Sequence, residues 1–194
     1  MSVETWDARY ATEDYVFGTA PSPFLEACRD RLPATGRALS LADGEGRNGV
    51  WLAGQGLDVL TLDFSAEGLA KARRLAAERG VAIRTEQADM LTWTWPDQSF
   101  DVVCAMNFHL PPAVREDLFR RIAATLAPGG LLLFEGIHAD TRDHHPPETL
   151  FTEAMMPGLC DGLEIRETIT RMEERRMDGE MVVKKKLNVL AVKP

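Results

Sequence analysis

The chain has 194 residues, 45% of them hydrophobic, and a net charge of -8 at neutral pH, enough for one substantial core and opposed to a nucleic-acid backbone as main partner. Cys28, Cys104 and Cys160 are far apart and odd in number, which indicates neither a disulfide framework nor a cysteine metal site and suits a reducing compartment. No apolar run approaches the roughly 18 residues of a membrane helix, and the first residues lack a basic segment followed by an apolar core, so a cytoplasmic protein without membrane contact is expected.

In chain order, an N-terminal arm precedes Ser22 and Pro23, which read as the cap and first residue of a helix through Leu32. A first strand is expected over Arg37 to Ala42, followed by a glycine-rich turn and a helix to Gln55. LDVLTLD reads as a second strand, Ser65 caps a helix that Gly80 stops, and Val81 to Glu86 reads as a third strand. Phe100 to Met106 is a fourth, Pro112 opens a helix carrying Val114, Leu118, Phe119, Ile122 and Leu126, and the Pro128-Gly129-Gly130 turn leads into the fifth strand, LLLFEGI. Leu163 to Met177 and Met181 to Val192 are strand-like runs around Asp178-Gly179, a hairpin signal. The expected fold is α/β: a doubly wound, Rossmann-like sheet of seven strands, mostly parallel, with an antiparallel C-terminal hairpin strand. One domain divides into an arm and helix covering the site (1–35), a cofactor-binding core (36–137) and a substrate-side loop, helix and hairpin (138–194).

The junction from Ala38 to Ala53 joins a buried strand to a glycine-rich turn and a helix, the arrangement that faces a helix N-terminus towards a nucleotide-like ligand. Gly44, Gly46 and Gly49 satisfy the G-x-G-x-x-G spacing of dinucleotide-binding folds, and Asp63 follows about 20 residues on, where a carboxylate can accept from ribose hydroxyls. Asp43 and Glu45 would oppose a pyrophosphate there, whereas a sulfonium carrying an amino-acid ammonium would tolerate them. On that reading Gly49 matches by coincidence. Strands one and two end in Asp43 and Asp63, and Asp89 follows strand three, all at the sheet edge where ligands of open α/β sheets bind.

Four segments, LADGEGRN, LDFS, QADM and FDVVCAMNFHLPP followed by LAPGGLLLFEG, together resemble the class I S-adenosylmethionine-dependent methyltransferases over almost the full chain. The resemblance implies S-adenosyl-L-methionine as cofactor. It assigns the methionine part to Gly44 and Gly46, the ribose to Asp63, and the adenine amino group to Asp89, with Phe64 and Met90 stacking on the base. Trp6, Arg9, Tyr10, Tyr15, Gly18 and Pro21, with Glu45 to Asn48 including Arg47, resemble the branch related to tellurite-resistance and thiopurine methyltransferases. There the arm folds over the cofactor, which places Arg9 or Tyr15 near its carboxylate and Tyr15, Phe17 and Gly18 near the methyl group. Ala42 and Ser40 depart from the pattern, replacing the first loop glycine and the acidic residue before it; Asp43 is expected to compensate for the missing acid.

Methyl transfer from an activated sulfonium needs alignment and exclusion of water more than a dedicated nucleophile. His109 stands where a proton acceptor could act, or else packs at the start of the Pro112 helix; Asn107 could contact substrate or cofactor. Glu135 and His138 share that rim, with Glu135 able instead to satisfy backbone donors. The segment from His138 to His145 gathers five potential ligands at no closed-site spacing, and a solvated loop gating the substrate is expected over a metal site. Arg171, Arg175, Arg176 and Lys184 to Lys186 read as protection of exposed strands in preference to an anionic partner, Trp93 and Trp95 as cover for the sheet edge, and Met155 and Met156 as core filling. The expected partner is a small-molecule methyl acceptor, with sulfur, selenium or tellurium species and small thiols suggested by the branch. A nicotinamide oxidoreductase is the rival enzyme, weakened by the lack of a second mononucleotide-binding half. A non-catalytic cofactor-binding regulator is the other alternative.

Overall fold

The computed structural model describes residues 2–141, 146–177 and 180–194, and of 175–177 and 180–182 the backbone alone. The expected hairpin turn at Asp178-Gly179, Asp143, His144 and His145 of the metal alternative, and the side chains of Arg175 and Arg176 lie outside this.

Strands β1 (Arg37–Leu41), β2 (Asp58–Asp63), β3 (Arg84–Gln87), β4 (Phe100–Ala105), β5 (Leu126–Ile137), β6 (Glu164–Met177) and β7 (Glu180–Val192) form one sheet in the order β3-β2-β1-β4-β5-β7-β6. β1 to β5 pair in parallel, and β7 is antiparallel to both β5 and β6. The final strand therefore lies inside the sheet. The order reverses between β1 and β4, so the carboxyl ends of these two strands flank the crevice in which such sheets hold ligands.

Side chains alternate across the pleat, and each face is buried separately. Val103, Ala105 and Phe134 join Leu118, Phe119 and Ile122 of helix α5 (Pro112–Thr125), while Val102, Cys104 and Leu133 join Phe24 and Leu25 of α2 (Pro23–Ala27) and Leu52 of α3 (Arg47–Gly54). Helix α4 (Ala66–Glu78) is capped by Ser65, whose Oγ accepts from the Gly68 amide at 3.0 Å.

Several boundaries differ from expectation. The arm contains a helix, α1 (Val3–Tyr10), that its weak apolar pattern does not announce. The Ser22 helix is one short α-helix and a 3-10 turn at Arg29–Arg31, and β3 begins three residues later than its apolar start. Pro128-Gly129-Gly130 lies within β5, where the register with β4 shifts between Phe100 and Val102. Trp93 and Trp95 meet edge to face at 5.1 Å and pack on the core, as does Met156 from α6 (Met156–Leu159).

Candidate functional site

Three alternate positions shape the loop after β1. Ala42, Gly44 and Gly46 all take left-handed backbone, at φ 48°, 54° and 86°. A side chain at Gly46 would meet the Ala72 backbone at 2.7 Å, and one at Gly49 would meet Asp43 and Thr61 at 2.5 Å. Gly49 thus has a physical role: it lets α3 approach β1 and β2 closely, the task of the third glycine in the dinucleotide fingerprint, so its match is not coincidental. Asp43 is buried and accepts from the Gly49 amide at 2.8 Å and the Asn48 amide at 3.3 Å, capping α3 from inside the loop. Burial pushes its carboxyl up to about 6 against those hydrogen bonds.

Glu45, expected to face a cationic ligand, is engaged elsewhere. Its carboxylate accepts from the Val16 and Phe17 amides at 3.1 and 3.2 Å and pairs with Lys71 of α4 at 2.7 Å, both side chains almost fully buried. It latches the arm onto the loop. The Tyr15 hydroxyl donates to the Lys71 carbonyl and accepts from Arg74, so Tyr15 turns towards α4. Arg9 is exposed, its guanidinium stacked over Trp6 and Phe17 at 5.3 and 4.9 Å. Gly18 is exposed in left-handed backbone, and Arg47 donates to the Ala20 carbonyl.

Tyr10 is the aromatic that reaches the glycine loop. It is buried, and a Cβ built on Gly44 would lie 2.9 Å from its ring. Burial, with Asp63 and Glu45 nearby, pushes its phenol well above the usual tyrosine range. Asp7, one turn earlier, accepts from Ser65 and from the Glu67 amide, which fixes α1 over the N-terminus of α4. The W-x-x-R-Y segment carried this signal: Trp6 and Tyr10 fall on one helix face and stack at 5.2 Å.

Asp63 ends β2 with Oδ2 accepting from the Gly44 amide at 2.8 Å and Oδ1 from the Ser65 amide at 2.9 Å, and burial raises its pKa. Each oxygen retains a further lone pair. The Asp63 carbonyl accepts from the Ala88 amide, bringing the turns after β2 and β3 together; there Asp89 is exposed, and Phe64 and Met90 are half-buried. The left-handed glycine loop, the open-handed Asp63 and the exposed Asp89 along one edge suit an adenosyl amino acid.

Across the switch point, Asn107 follows β4 in left-handed backbone at φ 54°, and His109 lies half-buried two residues on. Ser22 links the two sides: its amide donates to Asn48 Oδ1 at 2.9 Å and its hydroxyl to Glu135 Oε2 at 2.8 Å. Lys186 of β7 donates to Asn107 Oδ1. It is 4% exposed on an interior strand, which corrects the reading of all three lysines as edge protection. His138 is also buried; its Nδ1 accepts from the Asp140 amide, so Nε2 carries the proton and donates to Glu153 at 2.8 Å. That ring ties β5 to the following segment. Among the described residues no group of three or more metal-ligating side chains is gathered.

Residues 38–130 match the family described as a methyltransferase domain. That segment is a little under half of the chain, so the match is a likeness of this part to methyltransferase domains. The chain is 36% identical over 99 residues to the demethylmenaquinone methyltransferase of Thermus thermophilus, covering 50% of this chain and 45% of that protein, so it spans less than half the length of that curated relative. In fold it is similar to TehB from Haemophilus influenzae, with a TM-score of 0.76 and 19% identity over 98% of this chain and 66% of that one. It is similar again to the N-methyltransferase NodS of Bradyrhizobium japonicum in complex with S-adenosyl-L-homocysteine, with a TM-score of 0.75 and 16% identity over 99% of this chain and 98% of that one. At these identities both likenesses are of fold alone.

Proposed function

We propose that this protein transfers a methyl group from S-adenosylmethionine to a small-molecule nucleophile. The observation that carries the reading is the glycine loop within the segment that matches methyltransferase domains, with Asp63 hydrogen-bonded to the Gly44 amide at the adjoining strand end. Ala42, Asp43, Gly44, Gly46, Arg47 and Asn48 would frame the methionine part, Asp63 the ribose, and Asp89 with Phe64 and Met90 the adenine. Arg9, Tyr15 and Gly18 belong to the arm that covers it, and Tyr10 adds the contact on Gly44. When bound, the cofactor supplies an already activated methyl group. What the chain supplies is alignment and the exclusion of water, through the arm latched by Glu45 and Lys71. Asn107 and His109, beyond β4, stand on the acceptor side.

The branch resemblance supports a thiol, thiopurine or chalcogen acceptor. NodS, an N-methyltransferase of the same fold, supports an amine as the second reading. Thermal melting with S-adenosylmethionine, S-adenosylhomocysteine and NAD in parallel tests the cofactor, since selective binding stabilises the native state by about 2.7 kcal/mol at a hundredfold excess over Kd. Stabilisation by NAD alone overturns it. A radiolabelled methyl-transfer screen over thiols, thiopurines, chalcogen oxyanions and amines then separates the two acceptor readings, and turnover with none favours a regulatory protein.

A further inference from the structure

Strand β6 ends the sheet, so one of its backbone edges has no neighbouring strand among the described residues. Natural sheets guard such an edge with proline, lysine, a bulge or a short strand. β6 runs 14 residues, contains neither proline nor lysine, and has its register shift at its start, between Ile165 and Glu167. From Glu167 onwards it pairs with β7 residue by residue, which makes 167–171 a regular edge. Glu167, Ile169 and Arg171 share one face of the pleat, opposite Leu190, Asn188 and Lys186 of β7, and Thr168 and Thr170 share the other. Thr168 and Arg171 are exposed, and the Glu167 side chain is 37% exposed even with Arg31 paired to it at 3.1 Å.

Charge guards an edge against its own copies when like signs meet. Glu-Thr-Ile-Thr-Arg, 167–171, does the reverse, because laid antiparallel on itself it is its own complement. A two-fold axis perpendicular to the sheet keeps the two faces in common and passes through a residue pair. With that axis at Ile169, Glu167 stands opposite Arg171 of the second copy, Arg171 opposite Glu167, and Thr168 and Thr170 opposite each other, all favourable cross-strand pairs. Moving the axis to Thr170 sets Glu167 against Glu173, and moving it to Thr168 leaves both Glu167 and Arg171 facing isoleucines. Arg31 engages Oε1 of Glu167, and a carboxylate accepts at both oxygens, so Glu167 can hold Arg31 and the second copy's arginine together.

We propose that β6 is a dimerisation edge, taking a second copy of this chain in antiparallel register about Ile169 and joining the two sheets into one. Backbone hydrogen bonds supply the adhesion and the Glu167–Arg171 pairs set the register. Five paired residues a side make a small interface, below about 1,200 Å², so the dimer belongs to the transient class. The proposal stands independently of the methyltransferase reading.

Sedimentation equilibrium of the full chain up to about 0.5 mM, a range suited to that class, measures the association. The wild type should approach twice the chain mass. Glu167→Arg and Arg171→Glu each place like charges opposite one another twice by symmetry and should weaken the dimer at least about tenfold. Glu167→Arg/Arg171→Glu exchanges the signs and should restore the wild-type affinity within about threefold. Cysteine trapping reads the register: opposed residues of antiparallel strands have Cα atoms about 4.5–5.5 Å apart, within disulfide range. Ile169→Cys should therefore cross-link to itself under oxidised glutathione, and Thr168→Cys, two positions out of register with its own copy, should do so at least about tenfold more slowly. The native Cys28, Cys104 and Cys160 are buried. A wild type that stays monomeric overturns the proposal. So does a dimer that both single reversals leave intact, a double reversal no better than the singles, or Thr168→Cys cross-linking as fast as Ile169→Cys; the last three results would mean that copies meet through another surface or register.

Discussion

Replacing Lys71 by Met probes the latch that holds the arm on the glycine loop. The ammonium and the Glu45 carboxylate are 2.7 Å apart with side chains 7% and 2% exposed. At an effective dielectric near 20 their raw attraction is on the order of 6 kcal/mol, set against a desolvation penalty of several kcal/mol for each ion. The pair is therefore worth little net. Removing one partner is a different matter, because Glu45 then keeps a buried negative charge with, among the described residues, only the Val16 and Phe17 amides donating to it. Lys71→Met should cost about 3–5 kcal/mol. Glu45→Gln/Lys71→Met should cost much less than the sum of the singles, with a coupling of about 2 kcal/mol, since neither ion is stranded. Urea unfolding of the four proteins measures the cycle, with unchanged m values required for the comparison. Amide exchange at Val16 and Phe17 should quicken in Lys71→Met ahead of global unfolding, showing that the arm is what is released. Singles that add to the double within about 0.5 kcal/mol would refute the latch.

Gly49→Ala should destabilise by about 2 kcal/mol or more, because the new methyl meets Asp43 and Thr61 at 2.5 Å; a change under about 0.5 kcal/mol in thermal or urea unfolding would contradict the close α3 packing. Asp43, raised to about 6 from 3.8, stabilises most when protonated, so its contribution is complete below about pH 4 and is lost as pH rises through 6. The difference between wild type and Asp43→Asn should shift by about 3 kcal/mol over that window, and parallel stability curves would reject the shift. Asp63→Ala orphans the Gly44 and Ser65 amides and should abolish thermal stabilisation by S-adenosylhomocysteine; retained stabilisation would remove Asp63 from the cofactor site.

The sheet was legible because its strands are short apolar runs between glycine, proline and cap residues, and because period-two alternation is local. β3 begins after the apolar Val81 and Ile83 because these are apolar for another reason: they pack beside Val50, Leu75 and Ala76 before the strand begins. The arm's helix was hidden because its stability comes from outside it, from Asp7 on Ser65 and Tyr10 on Gly44, 58 and 34 residues away in sequence. Local propensity carries no trace of such contacts.

The charges divide along the same line. Asp43, Glu45 and Asp63 were found as a group by position, yet their partners are set by tertiary structure: the α3 amides, Lys71 with the arm, and the turns on either side. Two of the three hold the loop's shape or its cover, so an acid in this loop does not by itself signal a cationic ligand. Lys186 makes the converse case. Three consecutive lysines read as a solvated edge, and only the insertion of β7 between β5 and β6 turns the last of them inward, onto Asn107 and within 4 Å of two glutamates. Strand order is a global property, and it decides here which charge is solvent-facing and which one is buried beside Asn107.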